Sequence, residues 1–331
     1  MNAVLTSSRT SFARFKELMA KRTLPRLLQT PAVILLLLWM LIPLGMTLYF
    51  SFIRYVLNSF RRPEWTTPSL SNWRGFGNYE YVLFSAKDFW FAVQNSLFIV
   101  VSILILTVIF GLALAMLVNR SFPGRGVVRV LLISPFFVMP AVNAVLWINM
   151  ILDPVLGLNG IAVEGINHVV NNLRDFPVLG SFFSLWPEFN PLSFRATQTS
   201  AYAVIMMVTW QWTPFAVLIF MTSLQSEDES QKEAAILDGA GAWSRFRNLT
   251  VPHLARPIAI VIMIQSIFHL SLYAEIEIVS RGNGNKNLPY LIGEFTSNNI
   301  GAASATGIFA VILANIVAIF LLRMVGKSMM D

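Results

Sequence analysis

Six apolar segments alternate with polar stretches along the chain. Each segment is close to the twenty residues that a helix needs to cross a bilayer, and an apolar run of that length is typical of a membrane-spanning helix. The pattern therefore predicts an all-α integral membrane protein with six transmembrane helices and both chain ends on the same side. We expect these helices at residues 31–53, 90–118, 127–151, 200–223, 258–279 and 304–325.

Two of the polar stretches are long. Residues 54–89 contain the sequence NWRGFGNYEYVL, and aromatic residues with Gly and Asn suit a compact segment at the membrane interface. Residues 153–197 are rich in turn signals, with short surface helices expected at 161–173 and 178–185. Neither stretch has the pattern of an independent domain.

Composition supports the membrane interpretation. The 331 residues are 56% hydrophobic and only 12% charged, whereas soluble domains carry about 25% charged residues. The chain has no cysteine, so it has neither a disulfide framework nor a thiol site. The net charge of +7 does not indicate a nucleic-acid partner, because the basic residues lie at the ends of apolar segments rather than in one patch.

Charge also bears on orientation. Residues 1–30 are strongly basic, and the apolar segment after them is too long for a cleaved signal peptide. We therefore expect a cytoplasmic N-terminal tail at 1–30 and a transmembrane domain at 31–331. Lys and Arg are more frequent in the parts predicted to be cytoplasmic, although Arg54, Arg61 and Arg62 in the first external loop oppose this bias.

The polar stretch at 224–257 contains the sequence EAAILDGAGAWSRFRNLTVPHLARP from residue 233 onward. Glu233, Ala234 and Ala235 are strong helix formers, and Gly239 permits the backbone to turn. A second helical run is expected at 242–249, ended by Pro252 because proline cannot continue a helix. The pattern predicts two short helices in a bent arrangement, a rigid knob between two membrane spans.

This sequence resembles the EAA loop of importer-type ABC permeases, whose family form is E-A-A-x3-G-x9-I-x-L-P. Leu249 stands at the family's Ile and Val251 at its Leu. The resemblance implies a type I ABC importer permease fold with a cytoplasmic coupling loop at 224–257. It also implies the residues that couple the chain to an ATPase, which are Glu233, Ala234, Ala235, Gly239, Leu249 and Pro252.

Beyond this loop, the whole of 31–331 resembles permeases of carbohydrate importers, of the same class as the larger maltose-type subunit. Among them it is most similar to polyol permeases of the mannitol and sorbitol type. The strings that carry this are PAVILLLLWMLIPLGMTLYFSF (31–52), VRVLLISPFFVMP (128–140), WQWTPFA (210–216), DGAGAWSRFRNLTVPHL (238–254) and ANIVAIFLLRMVGK (314–327). The chain departs from the family at 280–287, where SRGNGNKN replaces a frequent Gly-Gly-Pro turn, and in the long loop 153–197.

The resemblance implies a complex in the bacterial inner membrane. In it this multi-pass chain, with cytoplasmic N- and C-termini, pairs with a second permease subunit, two ATPase subunits and a periplasmic solute-binding protein. ATP is then bound by the ATPase partners, and this chain needs no cofactor of its own. Membrane lipid surrounds it, and a polyol or another sugar is the cargo, translocated by alternating access.

Enzyme chemistry is not expected in this chain. Gly326, Lys327 and Ser328 mimic the end of a phosphate-binding loop, but position 321 is Leu where that loop requires Gly. The three histidines, His168, His253 and His269, lie on different segments, so no metal cluster is predicted.

Polar side chains within the predicted spans are the candidates for a solute path, because such groups are costly in the bilayer. Amides can bond sugar hydroxyls, and indole faces can pack on sugar rings. The preferred candidates are Asn143, Trp210, Gln211, Trp212, Gln265, His269 and Tyr273, the last three at i, i+4 and i+8. Asn95, Asn149 and Asn315 are further polar positions. The alternative for each is a bond between helices worth about 1–2 kcal/mol or less.

Glu275 and Glu277 are expected at the external end of the fifth span, because a carboxylate at mid-bilayer costs about 2.5–3.5 kcal/mol. Either an ordinary helix end or a role in gating or docking fits them.

Several functions remain open. The main hypothesis is import of a linear polyol, and the alternative is the same machine carrying a mono- or disaccharide or glycerol phosphate. A phosphate-bearing cargo is disfavoured because no basic residue lies at mid-span. An ion channel or secondary transporter predicts mid-span charges or internal repeats, which are not evident, and a membrane enzyme requires a catalytic cluster.

Overall fold

The computed structural model describes residues 2–57, 62–174, 180–183 and 185–330, with side chains described at 26–57, 62–174, 182–183, 185–320 and 322–323. These residues form helices, and their extended backbone pairing is limited to one isolated bridge between Ile53 and Trp73. The helices are α1 Asn2–Ser51, α2 Gly77–Glu80, α3 Phe89–Asn119, α4 Arg125–Ile133, α5 Pro140–Leu146, α6 Leu158–Arg174, α7 Gly180–Phe183, α8 Ser200–Gln225, α9 Glu229–Leu237, α10 Ala242–Arg245, α11 Val251–His269, α12 Ala274–Ser280, α13 Leu288–Thr296 and α14 Ile300–Met330.

Five helical stretches in the described part of the chain are long and apolar enough to cross a membrane, and a bent pair of helices makes a sixth. The five are Arg26–Ser51, Phe89–Asn119, Ser200–Gln225, Ala242–His269 and Ile300–Phe320. The first is the apolar part of α1, which runs without interruption from the basic residues into the predicted span.

The expected third helix at 127–151 is broken in the structure. Its two parts, Arg125–Phe137 and Pro140–Ile151, meet at an angle of 103°. Val138 and Met139 between them are extended, with ψ of 130° and 140°. Pro140 explains the break, because a proline disfavours helical backbone in the residue before it.

The fifth span also differs from the expected 258–279. A continuous helical stretch begins at Ala242, passes through a wider π-helical turn at Phe246–Thr250 and ends at His269. The expectation that Pro252 ends the second short helix is therefore wrong. The wider turn before Pro252 accommodates the ring and the missing N–H group, so the helix continues.

Helices α3 and α8 form the centre of the fold and run side by side in the same direction. Ile103 near the middle of α3 shares a buried cluster with Met207 of α8. Ala115 near the end of α3 shares another with Phe220 of α8. Helix α14 packs against α1, α11 and α13, and the first half of the span in α1 is exposed.

The loops outside the spans are tied down by amide side chains. Asn78 donates to the carbonyl oxygens of Ser51 and Ile53, at 2.9 and 2.8 Å. In the long loop, Asn167 exchanges two hydrogen bonds with the Phe189 backbone. The short helices expected there correspond to α6 and α7, while residues 175–179 and 184 lie outside the described part.

Helices α3 and α8 are closely packed at Gly111. A Cβ atom on Gly111 would lie 2.7 Å from Cβ of Ala216 and 3.3 Å from the Phe220 ring. We expect Gly111→Val to lower the free energy of unfolding by about 1–3 kcal/mol, because the helices must separate. Unfolding of the purified chain in mixed micelles measures this.

The matched control is Gly45→Val, because a Cβ atom at Gly45 of α1 meets no atom of the described residues within 4 Å. Equal stability losses for the two variants would contradict the close packing at Gly111.

Candidate functional site

Five of the polar and aromatic candidates form a connected group in the interior, which we call the polar cluster: Asn143, Gln211, Trp212, Gln265 and His269. Asn143 on α5 donates to Oε1 of Gln211 at 3.0 Å and to the Met207 carbonyl at 3.2 Å. Gln211 donates in turn to the Val138 carbonyl. That carbonyl lies in the break of the third span, so Gln211 pairs a backbone group that the break has freed.

The second half of the cluster lies on α11. Gln265 and His269, one turn apart, are 0% and 1% exposed. Nε2 of Gln265 lies 3.4 Å from the Trp212 carbonyl oxygen, a long hydrogen bond. The His269 ring meets the Trp212 ring edge-on, with centroids 5.0 Å apart. Trp212 therefore joins the α11 residues to Gln211, its neighbour on α8.

Four polar atoms of the cluster are buried and have no hydrogen-bond partner within the described part of the chain. They are Oδ1 of Asn143, Oε1 of Gln265 and both ring nitrogens of His269. Most buried polar groups in proteins are paired with protein or ordered water. The unpaired amide oxygens and ring nitrogens of this cluster are therefore the candidate partners of a polar molecule.

Two predicted path residues lie elsewhere. Trp210 faces another side of α8, where its ring packs against Trp147 at 5.9 Å. Tyr273 does not continue the face of Gln265 and His269, because α11 ends at His269. Its ring instead stacks on Tyr290, with centroids 5.9 Å apart.

The other amide candidates are separate from the cluster. Asn95 donates to the Lys286 carbonyl, and Asn149 accepts from Arg195. Asn315 is exposed on α14 and bonds the Val311 carbonyl of its own helix.

The predicted coupling segment, residues 224–257, has the expected bent form at its start. Asp228 caps α9 by accepting from the Ser230 N–H at 2.9 Å. Glu233, Ala234 and Ala235 lie within α9. Gly239 follows with φ of +77°, a left-handed conformation that glycine adopts at low cost.

Apolar side chains at the tip of this segment are exposed. Leu237 is 88% and Trp243 71% exposed, with Ile236 beside them. Leu249 lies in the π-helical turn and Pro252 in the first turn of α11. Exposed apolar groups on a rigid turn are typical of a surface that contacts another protein.

Sequence reasoning missed the residues that hold this knob to the spans. Glu227 is largely buried and accepts from Thr250 at 3.1 Å, and it pairs with Lys232 at 3.4 Å. His253 on α11 contacts the Ser223 carbonyl of α8 at 2.8 Å. Their wide spacing along the chain gives no local signal, so only the fold identifies them.

At the opposite end, a lysine joins three segments. Lys286 pairs with Asp88 at 2.8 Å and with Glu294 at 2.7 Å. Burial lowers the pKa of Lys286, but the hydrogen bonds and charges of Asp88 and Glu294 together raise it by more. The pKa of Lys286 therefore lies above its usual value.

The two acidic residues expected at the external end of the fifth span lie on α12, beyond the end of that span. Glu275 is buried there, which raises its pKa. Glu277 lies two residues further along α12, in its first turn.

Comparison with known proteins gives a family match over most of the chain. Residues 91–331 match the family described as binding-protein-dependent transport system inner membrane component. This range includes the polar cluster and the coupling segment.

Two relatives illustrate the similarity. The trehalose transport system permease protein SugA of Mycobacterium tuberculosis is 23% identical over 96% of this chain and 93% of its own length. The trehalose/maltose transport system permease protein MalF of Thermococcus litoralis is 28% identical over 69% of this chain and 70% of its own. Both are named for disaccharides rather than for a polyol.

A solved structure shares the fold. The bacterial alginate ABC transporter in complex with an alginate pentasaccharide-bound periplasmic protein superposes with a TM-score of 0.67 at 18% identity. The match covers 94% of this chain and 96% of that one. The all-helical importer-permease fold predicted from the sequence is thereby confirmed.

The pairing of Asn143 with Gln211 generates a prediction for the cluster. We expect Asn143→Leu and Gln211→Leu each to lower the free energy of unfolding by about 1–2 kcal/mol, because each leaves a buried partner unpaired. The double variant is expected to lose about 1 kcal/mol less than the sum of the two. Equilibrium unfolding of the wild type, the two single variants and the double variant in mixed micelles measures these free energies.

Asn315→Leu is the control, since among the described residues its side chain bonds only to the Val311 carbonyl of its own helix. Strictly additive losses for Asn143→Leu and Gln211→Leu would show that the two amides do not interact.

Proposed function

We infer that the chain, which belongs to the binding-protein-dependent transport system inner membrane component family, carries an uncharged polyhydroxylated solute through the membrane as the permease subunit of an ATP-driven importer. As a multi-pass permease subunit of this family, the chain is a transport component of the inner membrane rather than an enzyme. The cargo, the path and the coupling to ATP are the parts that we propose.

The observation that supports this cargo is the set of unpaired polar atoms in the cluster. Asn143, Gln265 and His269 offer amide oxygens and ring nitrogens, and Trp212 offers an aromatic face. Amide and imidazole groups exchange hydrogen bonds with hydroxyls, and sugar carbons pack on an indole. A solute with many hydroxyls and no charge fits this chemistry.

Two kinds of solute fit. The resemblance of the strings at 31–52, 128–140 and 210–216 favours a linear polyol such as mannitol or sorbitol. The names of the relatives favour a disaccharide, because they include trehalose and maltose. A monosaccharide or glycerol phosphate remains the less favoured cargo.

The coupling segment is the proposed contact with an ATPase partner. Glu233 to Gly239 form its first part, and Leu249 and Pro252 belong to its second, with exposed Leu237 and Trp243 at the tip. Two ATPase subunits bind and hydrolyse ATP, so this chain holds no cofactor. Closure of the ATPases moves the segment and tilts the spans between inward-open and outward-open forms, an alternating access of the rigid-body kind.

The complex that we propose also contains a second permease and a periplasmic binding protein. The alginate ABC transporter, which shares this fold, forms a complex with a periplasmic protein, and this supports the proposal. The coupling segment then lies in the cytoplasm together with both termini. Lys286 and its partners lie at the other end, on the side of the binding protein.

Uptake of radiolabelled solutes tests the function. Cells that lack this chain but keep its partners are expected to lose uptake of either mannitol and sorbitol or trehalose and maltose. We expect His269→Phe to reduce the restored uptake at least tenfold, since the ring nitrogens that face the proposed site are removed. Asn315→Leu is the matched control and should restore uptake fully.

Loss of polyol uptake alone supports a polyol as the cargo, and loss of disaccharide uptake alone supports a disaccharide. Unchanged uptake of all four solutes would exclude both cargoes. Full activity of His269→Phe, with normal amounts in the membrane, would place the path elsewhere.

Coupling is tested at Gly239. Gly239→Pro is expected to abolish uptake while the chain still inserts, because proline fixes φ near −65° where this position has +77°. Proline also removes the N–H that donates to the Ile236 carbonyl at 3.0 Å. Uptake and co-purification of the ATPases with the tagged chain are the measurements.

Gly241→Pro serves as the control, because Gly241 has φ of −66°, a value that proline adopts. Normal uptake by Gly239→Pro would refute the coupling role, and equal loss in both variants would show a general intolerance of proline there.

A further inference from the structure

Two arginines at the start of α4 carry buried nitrogen atoms without hydrogen-bond partners. Arg125 and Arg129 are one helical turn apart and therefore lie on the same face. Nε of Arg125, and Nε and Nη2 of Arg129, are inaccessible to solvent and unpaired within the described part of the chain. Both side chains are half-buried. A guanidinium group is always charged, and buried N–H groups without a partner are costly.

The surrounding sequence offers these arginines no counter-ion. No Asp or Glu occurs between Asp88 and Asp153, and Arg120 adds a third basic residue. Gly124 caps α4 without a side-chain hydrogen bond, and the first turn of α4 contains no acidic residue. The unpaired N–H groups and the dipole at this helix start further favour an anion.

An apolar groove of about 520 Å³ runs along α4, α3 and α8. Among its lining residues are Phe110 and Ala113 of α3, Leu132 of α4 and Trp210 of α8. The volume is within the range of about 300–1,000 Å³ found for ligand pockets. The groove is separate from the polar cluster, since Asn143, Gln211, Gln265 and His269 are not among its lining residues.

Arg129 lies at one end of this groove. It lines a smaller adjoining pocket together with Val118 and Met221, near the ends of α3 and α8. The two pockets share Leu132, Pro214 and Val217. The arginines therefore lie on the same side of the membrane as the coupling segment, where a lipid headgroup would lie.

We propose that this groove binds an anionic phospholipid, with its phosphate at Arg125 and Arg129 and one acyl chain along α3, α4 and α8. Basic pockets between membrane helices are sites where anionic headgroups bind. The negatively charged phosphate is the partner that the guanidinium groups of Arg125 and Arg129 lack. The acyl chain covers the apolar lining of the groove. This proposal does not depend on which solute the protein carries.

Fluorescence quenching by brominated lipids tests the proposal. The tagged chain is purified with the subunits that stay bound and is placed in phosphatidylcholine nanodiscs. Dibrominated phosphatidylglycerol or dibrominated phosphatidylcholine is then added in increasing amounts. The difference in quenching between the wild type and Trp210→Phe reports contact of acyl chains with Trp210.

We expect the phosphatidylglycerol form to quench Trp210 at a lower mole fraction than the phosphatidylcholine form. In Arg125→Gln/Arg129→Gln this preference should fall about thirty-fold, the effect of about two basic charges at an anionic surface. Arg120→Gln is the matched control, because Arg120 is exposed and is not a lining residue of either pocket. It should keep most of the preference.

A second variant covers the case in which the double variant does not fold. Ala113→Phe fills the groove and keeps both arginines, so it should abolish quenching of Trp210 by either lipid. Equal quenching by the two lipids in the wild type, or an unchanged preference in the double variant, would overturn the proposal.

A partner protein in the groove would also overturn it. The chain has no cysteine, so Ala113→Cys introduces a unique thiol. Crosslinking of this thiol to another permease subunit, with no quenching of Trp210 by either lipid, would show that the groove is a subunit interface.

Discussion

Inside a bilayer no water pairs with the backbone, so the protein itself must satisfy every break in a membrane helix. This constraint explains much of the polar interior. The break after Phe137 frees the Val138 carbonyl, and Gln211 donates to it. At the end of the fifth span, beyond His269, Asn287 donates to the Leu272 carbonyl at 2.6 Å. In both places an amide from another segment pairs a carbonyl that the end of a helix has freed.

The same constraint separates the candidates for solute binding. Both functional groups of Gln211 are engaged by Asn143 and Val138, so its role is at least partly structural. Gln265 and His269 keep unpaired atoms although they are fully buried. Sequence alone weighed these residues as equals, because a polar residue in a span gives the same signal whether it holds helices together or meets a ligand.

The apolar pattern located the spans because burial in lipid depends mainly on length and composition. It did not locate the bends, since these depend on how Pro140 and Pro252 fit their surroundings, and one breaks a helix while the other does not. The motif at 233–252 predicted the bent segment through local rules of helix formation and glycine geometry. Glu227 and the unpaired Arg129 became evident only from contacts between segments distant in sequence.

One consequence of the continuous fifth span concerns coupling. The helix from Ala242 to His269 runs from the second part of the coupling segment to the polar cluster, and 28 residues span about 40 Å. Thr250 of this helix bonds to Glu227, just after α8, and His253 bonds to the Ser223 carbonyl of α8, which also carries Gln211 and Trp212. In the proposed mechanism, a displacement of the coupling segment reaches both halves of the cluster through these two helices. A break at Pro252 would separate the segment from α11, whereas the π-helical turn keeps the helix continuous.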